Sequence, residues 1–326
     1  VDVDEDETSD YVDDDSKSDN SQIIEIDEVV DSEDDSCGTN ESNDEDDEDD
    51  EDDEDDEDDE DDEDDEDELF LLIDKIPVQV AVIEKCHDTL DSIISNGEMT
   101  IQEIESCMFQ VISILHVYQE VFQFTHNDLH TNNIMFIPTS EEFLYYEVKN
   151  TLYKIPTYGR IFKIIDFGRA IYNYNGKLLC SDSFSSNGTA HTQYNFGPYY
   201  NDQKAMITPN FSFDLCRLAC SMFDFICDDV KRISDYRNNI PVYDLIFSWL
   251  YDDNHRNILY KSNGEDKYPG FKLYKMITRL VHNHIPIKQY DHYCFRKYRV
   301  DKETDDNEYI NIIHLDKICE EYSSKN

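Results

Sequence analysis

Apolar positions are sparse through the first 68 residues and frequent afterwards, so the hydrophobic pattern divides the chain before any motif is considered. Leu69-Phe70-Leu71-Leu72-Ile73 and Val78-Gln79-Val80-Ala81-Val82-Ile83 are β-prone runs around a Lys-Ile-Pro break, which predicts a hairpin. Thr100 and Glu103 form a capping-box signature. Ile104, Met108, Val111, Leu115, Tyr118 and Phe122 follow at steps of three and four, one face of a helix of about six turns. Ile134-Met135-Phe136 and residues 161 to 165 are short buried-strand patterns, each beside a polar loop. Between them, residues 137 to 160 carry Phe143-Leu144-Tyr145-Tyr146, which predicts an added strand or helix on the surface. Ser212 and Asp214 open a strongly apolar helix through Leu215, Leu218, Ala219, Met222, Phe223 and Ile226, a core element. Residues 243 to 251, 271 to 282 and 309 to 319 read as further helices.

Charge sharpens the division. Residues 1 to 68 hold 43 of the 77 acidic residues and one base, Lys17, and residues 44 to 68 are all Asp or Glu. Self-repulsion with nothing apolar to bury predicts a disordered segment, read as a solvating spacer. It repels phosphate, so direct nucleic-acid binding is not expected, whereas basic proteins would be attracted. Ile23-Ile24-Glu25-Ile26 and Val29-Val30 precede an acidic flank containing Ser32 and Ser36, a pattern similar to short motifs that add a strand to SUMO-like modifiers. Nine cysteines without a C-x-x-C pair predict reduced thiols in an intracellular protein, and Cys216 and Cys220 are expected in a core. No apolar run approaches the ~18 residues of a membrane span.

The chemistry-bearing stretch is His126-Asn127-Asp128-Leu129-His130-Thr131-Asn132-Asn133, with Asp166-Phe167-Gly168 further on. Phosphoryl transfer needs a carboxylate at the incoming hydroxyl, plus an amide oxygen and a second carboxylate for magnesium on the phosphates. Asp128, Asn133 and Asp166 offer these three groups in that order.

These residues resemble the catalytic and metal loops of the protein-kinase superfamily: H-x-D-L-x-x-x-x-N is met by His126, Asp128, Leu129 and Asn133, and D-F-G is met unchanged. The resemblance implies an α+β, protein-kinase-like fold. It would be mostly the α-helical large lobe, residues 91 to 326, with an incomplete β small lobe and hinge at 69 to 90, after the acidic segment. It implies ATP and Mg2+ as cofactors, Asn133 and Asp166 as metal ligands, and a protein Ser/Thr hydroxyl as acceptor. Ile83 would stand at the back of the nucleotide pocket, Glu84 and Cys86 would meet adenine through main-chain groups, and Gly168 would complete the metal loop. Glu84 lies 44 positions before Asp128, in keeping with the family. Lys85 is too close to the catalytic loop to be the phosphate-binding strand lysine and is expected to face solvent.

Departures from the pattern carry information. His130 replaces the lysine two residues after the base, and the D-L-H run is similar to haspin-like kinases and to small-molecule kinases of the aminoglycoside or choline type. Residues 137 to 160 are similar to an insertion in kinase-like proteins of large DNA viruses. Gly197-Pro198-Tyr199 stands where the family has A-P-E, so the usual ion pair to a later arginine is not expected. Tyr172, Ser181, Ser183, Ser185, Thr189, Thr192 and Tyr194 are candidate phosphorylation sites in the segment 169 to 209. His126 is expected to pack beneath the site, and Asp214 resembles the aspartate that accepts catalytic-loop amides. A glycine-rich phosphate loop and its strand lysine are missing before the hinge, which suggests a fragment or a kinase-like protein of weak or no activity. The readings left open are a serine/threonine protein kinase, a pseudokinase that binds partners, and a small-molecule kinase.

Overall fold

The computed structural model describes residues 75, 80, 82–300 and 311–325. The acidic segment, the candidate strand-adding motif and most of the predicted 69–83 hairpin lie outside them. Contacts group the chain into Val1–Pro77 and Val78–Asn326, and the account below concerns the second unit.

Its scaffold is α2, Ile101–Phe122, preceded by the short α1, Leu90–Ser95. The capping box closes reciprocally at α2: Thr100 accepts from the Glu103 amide, and the Glu103 carboxylate accepts from the Thr100 amide at 2.7 Å. Ile104, Met108, Val111 and Leu115 are buried as the periodicity predicts, with Tyr118 and Phe122 half-buried. The helix is enclosed more widely than one face, because Glu105, Ser106, Gln110, Ser113, His116 and Gln119 are buried too. Each polar group finds a partner, as burial requires. Gln110 accepts from the Phe162 amide, Glu105 from the Tyr298 hydroxyl, and Ser106 donates to the Pro156 carbonyl. Phe109 centres the core, its ring 5.0 to 5.4 Å from those of Tyr146, Tyr153, Tyr290 and Phe295.

Among the described residues, three small sheets accompany this helix. The first is antiparallel, in the order β1 (Asp88–Thr89), β2 (Ile134–Pro138), β5 (Arg160–Ile164), with Ile134 opposite Ile164. The second joins β3 (Phe143–Val148) and β4 (Thr151–Pro156) through a two-residue turn, Lys149 and Asn150, both at positive φ. It is completed by β8 (Arg299–Val300) beside β4 and by β9 (Ile312–His314), parallel to β3. The expected surface insertion is therefore a hairpin that enters the core, where Tyr153 is 2 % exposed. The third sheet pairs β6 (Ile171–Tyr174) with β7 (Lys177–Cys180) across Asn175-Gly176.

The further α-helices among the described residues are α3 (Phe213–Ile226), α4 (Ile233–Asn239), α5 (Pro241–Ser248), α6 (Lys272–Leu280) and α7 (Leu315–Ser323). The segment predicted as a helix over 309 to 319 is corrected: residues 312 to 314 form β9 and the helix starts at Leu315, since Ile312 and Ile313 find an open edge of β3. Cys216 and Cys220 are buried free thiols, as expected. Among the described residues, no helix is long and apolar enough to cross a membrane.

Candidate active site

The loop between α2 and β2 is held from beneath by Asp214. At the first turn of α3, its fully buried carboxylate accepts from the His126 and Asn127 amides, each at 2.9 Å. Burial pushes its pKa up, opposed by His126 and these two amides. His126 is itself wholly buried, with Nε2 2.8 Å from the Ile165 carbonyl, the packed role expected of it. Asn127 adopts φ +65°, a left-handed conformation that asparagine tolerates better than most residues. Its amide nitrogen donates to the Thr125 and Arg169 carbonyls, and its Oδ1 accepts from the Tyr194 hydroxyl at 2.6 Å.

These anchors bring the three candidate groups to one place. The Asn133 side chain donates to the Asp128 carbonyl at 2.9 Å, and the Asn133 carbonyl accepts from the Ile165 amide at 3.0 Å, next to Asp166. Asp166 is exposed at φ +60°, with its carboxylate accepting from the Gly168 amide. Phe167 turns towards Tyr118, Phe124 and His126 and helps to line an apolar cavity of about 410 Å³ with Tyr172 and Tyr174.

His130 lies against the same cluster. Asn133 Nδ2 is 3.2 Å from its Nε2, an arrangement that fits a neutral ring accepting there. Burial lowers the His130 pKa and Arg217 lowers it further, while Asp128 and Asp166 oppose the shift. The ring is thus suited to orienting Asn133, rather than to presenting a positive charge as a lysine would.

Two site residues carried no sequence signal for chemistry. Tyr274, on α6, donates to Asp128 Oδ1 at 2.7 Å, and its hydroxyl accepts from Arg217 Nε at 2.9 Å. Arg169 Nη1 lies 3.8 Å from Asp128 Oδ2. Both came from elements read only as a helix and a loop.

The hinge residues stand differently. Ile83, expected at the back of a pocket, is 76 % exposed, because residues 82 to 87 form no strand that would cover it. Glu84 is exposed and pairs through its side chain with Lys163. Cys86 is half-buried and Lys85 faces solvent, the latter as expected. Among the described residues here the strand β1 starts at Asp88 and is preceded by a hydrogen bond from the His87 amide to the Phe136 carbonyl.

The segment after Gly168 packs beside the loop. Thr125 and Ile171 exchange two backbone hydrogen bonds. Tyr194 is buried with its hydroxyl on Asn127, so of the candidate phosphorylation sites it is closed to a modifying enzyme, whereas Thr189 is exposed. Arg279 donates to the Thr192 and Lys275 carbonyls. It borders a cleft of about 840 Å³ that Tyr199, Lys204 and Lys275 also line.

No protein-family model matches the chain. A stretch of 57 residues, 17 % of the chain, is 39 % identical to a probable serine/threonine-protein kinase of Dictyostelium discoideum. That stretch spans 5 % of the relative's length, so the likeness supports a kinase-like relationship for part of this chain and no more.

Proposed function

We propose that the chain transfers the γ-phosphoryl group of ATP to serine or threonine hydroxyls of proteins, on a protein-kinase-like large lobe. The observation that carries this reading is the convergence of Asp128, Asn133 and Asp166, held by the Asp214 anchors and the Asn133 hydrogen bonds.

The donor set fits Mg2+. Among the described residues, no group of three or more His, Cys, Asp or Glu side chains forms a cage. One carboxylate with one amide oxygen suits an ion that keeps waters and takes its other ligands from phosphates. Asn133 Oδ1 and the Asp166 carboxylate would hold the ion, which when bound neutralises charge on the phosphates. Asp128 receives the acceptor hydroxyl. As the oxygen bonds to the γ-phosphorus, the bond from that phosphorus to the ADP oxygen breaks and the hydroxyl proton passes to Asp128. Tyr274 and Arg169 orient the carboxylate, and His130 fixes the amide of Asn133.

A second reading is nucleotide or partner binding without transfer. It is favoured by the Tyr274 hydroxyl, which occupies one oxygen of the would-be base. Labelled ATP with Mg2+ and a histone or casein acceptor separates the two. The first reading expects label on protein, reduced at least about 10³-fold by Asp128→Asn and by Asp166→Asn, the scale of losing a group that acts on the reacting atoms. Transfer unaffected by both substitutions would sink the assigned site. Metal-dependent ATP binding with no transfer would establish the second reading.

A further inference from the structure

Away from the catalytic loop, a cavity of about 640 Å³ opens between α4, α5 and the loop after Tyr251. Its walls carry Lys231, Arg237, Arg256, Lys261 and Lys267 against one lining carboxylate, Asp244. Three of the five already have a carboxylate: Arg237 pairs with Asp244 at 2.7 Å, Arg256 with the buried Asp252 at 2.9 Å, and Lys261 with the exposed Glu265 at 2.8 Å. Lys231 and Lys267 have none within ion-pair distance among the described residues. Lys267 donates instead to the Asn257 carbonyl at 2.8 Å, and burial holds its pKa below the usual lysine range.

The Asn257 side chain also lines the cavity. Its Oδ1 accepts from the Leu259 and Tyr260 amides, while its buried Nδ2 donates to no described group.

We propose that this cavity is a binding site for a phosphoryl group carried on a protein side chain, a phosphoserine or phosphothreonine. A phosphate brings close to two negative charges and three acceptor oxygens, which suits the two lining ammonium groups that have no carboxylate, Lys231 and Lys267. A single carboxylate offers fewer oxygens and half the charge. An extended polyanion is disfavoured by what lies next door: a smaller cavity sharing Val230 and Tyr260 is lined by Asp224, Asp228 and Asp229. A nucleic-acid backbone leaving the cationic cavity on that side would meet those carboxylates, whereas a compact dianion stays clear of them. The site concerns binding alone and stands apart from the reading of the catalytic loop.

The test is calorimetric titration of the full chain, without ATP, using a short peptide with one phosphoserine, the same peptide with serine, the same with glutamate, and a single-stranded oligonucleotide. The phosphoserine peptide is expected to bind saturably and the serine peptide not at all. Lys231→Ala with Lys267→Ala, the two lining cations without a carboxylate, is expected to weaken binding by about tenfold or more, equivalent to ~1.4 kcal/mol. Lys204→Ala, in the other cleft, is expected to leave it unchanged. Circular dichroism checks the fold of the double variant; if it unfolds, Lys231→Met alone takes its place with the same expectation. Four results would overturn the proposal: no saturable phosphoserine binding, binding indifferent to the lysine substitutions, glutamate peptide bound as tightly as phosphoserine peptide, or oligonucleotide bound more tightly than either.

Discussion

Asp128 is held by groups that its own loop does not supply. Tyr274 comes from 146 positions away and delivers a hydroxyl to the carboxylate at 2.7 Å, with Arg217 behind it. A hydrogen bond to a charged acceptor contributes about 1.5–3 kcal/mol. If it orients the base for the hydroxyl, Tyr274→Phe should lower kcat about tenfold or more while leaving the KM for ATP unchanged. Steady-state kinetics read this split, and an unaltered kcat would remove Tyr274 from the positioning role. His130 shows the limit of reading by motif. The sequence placed an imidazole where a cation is usual, but whether it is charged depends on burial and on Arg217, two facts of the surroundings. Tyr194 is similar: as a string position it is a modifiable tyrosine, and as a packed residue it is a buried strut on Asn127.

Elements join the site through their ends. The N-terminus of α2 carries the reciprocal cap and, through Glu103, an ion pair at 2.6 Å to Arg160 at the start of β5. Thr100→Ala removes the side chain from both the cap and Glu103, and should cost about 1 kcal/mol of unfolding free energy in a denaturant titration. A loss well above that would mean that the cap also governs the Arg160 contact. The N-terminus of α3 is the heavier joint, because Asp214 is the acceptor for two buried amides of the catalytic loop. Asp214→Ala leaves both without a partner and should cost about 2–5 kcal/mol, with transfer falling further than stability alone explains. Full stability in Asp214→Ala, measured by thermal unfolding, would contradict the anchoring role. Some of this level was legible in advance. The α2 cap and the α3 stripe are local signals, and so is the Asn175-Gly176 turn between β6 and β7, a short hairpin pattern. The joining of β9 to β3 had no such signal, since three apolar residues suit a strand or a helix until a sheet edge is present.

At the scale of the molecule, the buried His116 and three half-buried histidines tie stability to pH. Burial pushes the His116 pKa down from 6.5 to about 4, with Nδ1 3.2 Å from the Tyr290 hydroxyl. Between those values the unfolded chain binds the proton and the folded one does not. Stability therefore rises with pH from about 4 to about 6.5 and levels off above. The contribution is on the order of 3 kcal/mol, at about 1.36 kcal/mol per pKa unit. His130, His284 and His292 are displaced in the same direction, each mainly by burial. Denaturant titrations at pH 4.5, 5.5 and 7 should show a shallower slope for His116→Gln than for the unsubstituted chain, and equal slopes would exclude His116 as a contributor.

What the amino-acid order determined by itself was periodic or adjacent. It set the division between acidic and apolar chain, the helix over 101 to 122 with its cap, the α3 stripe, and the spacing of Asp128, Asn133 and Asp166. Such features depend on backbone geometry and on neighbours a few positions apart, which a string displays. Tertiary structure alone decided that Tyr274 meets Asp128, that the Tyr-rich insertion enters the core around Phe109, and that five scattered cations face one cavity. Those contacts join residues remote in sequence, and no local pattern specifies them. They arise when helices and sheets bury their apolar faces together and the polar groups drawn in with them must find partners.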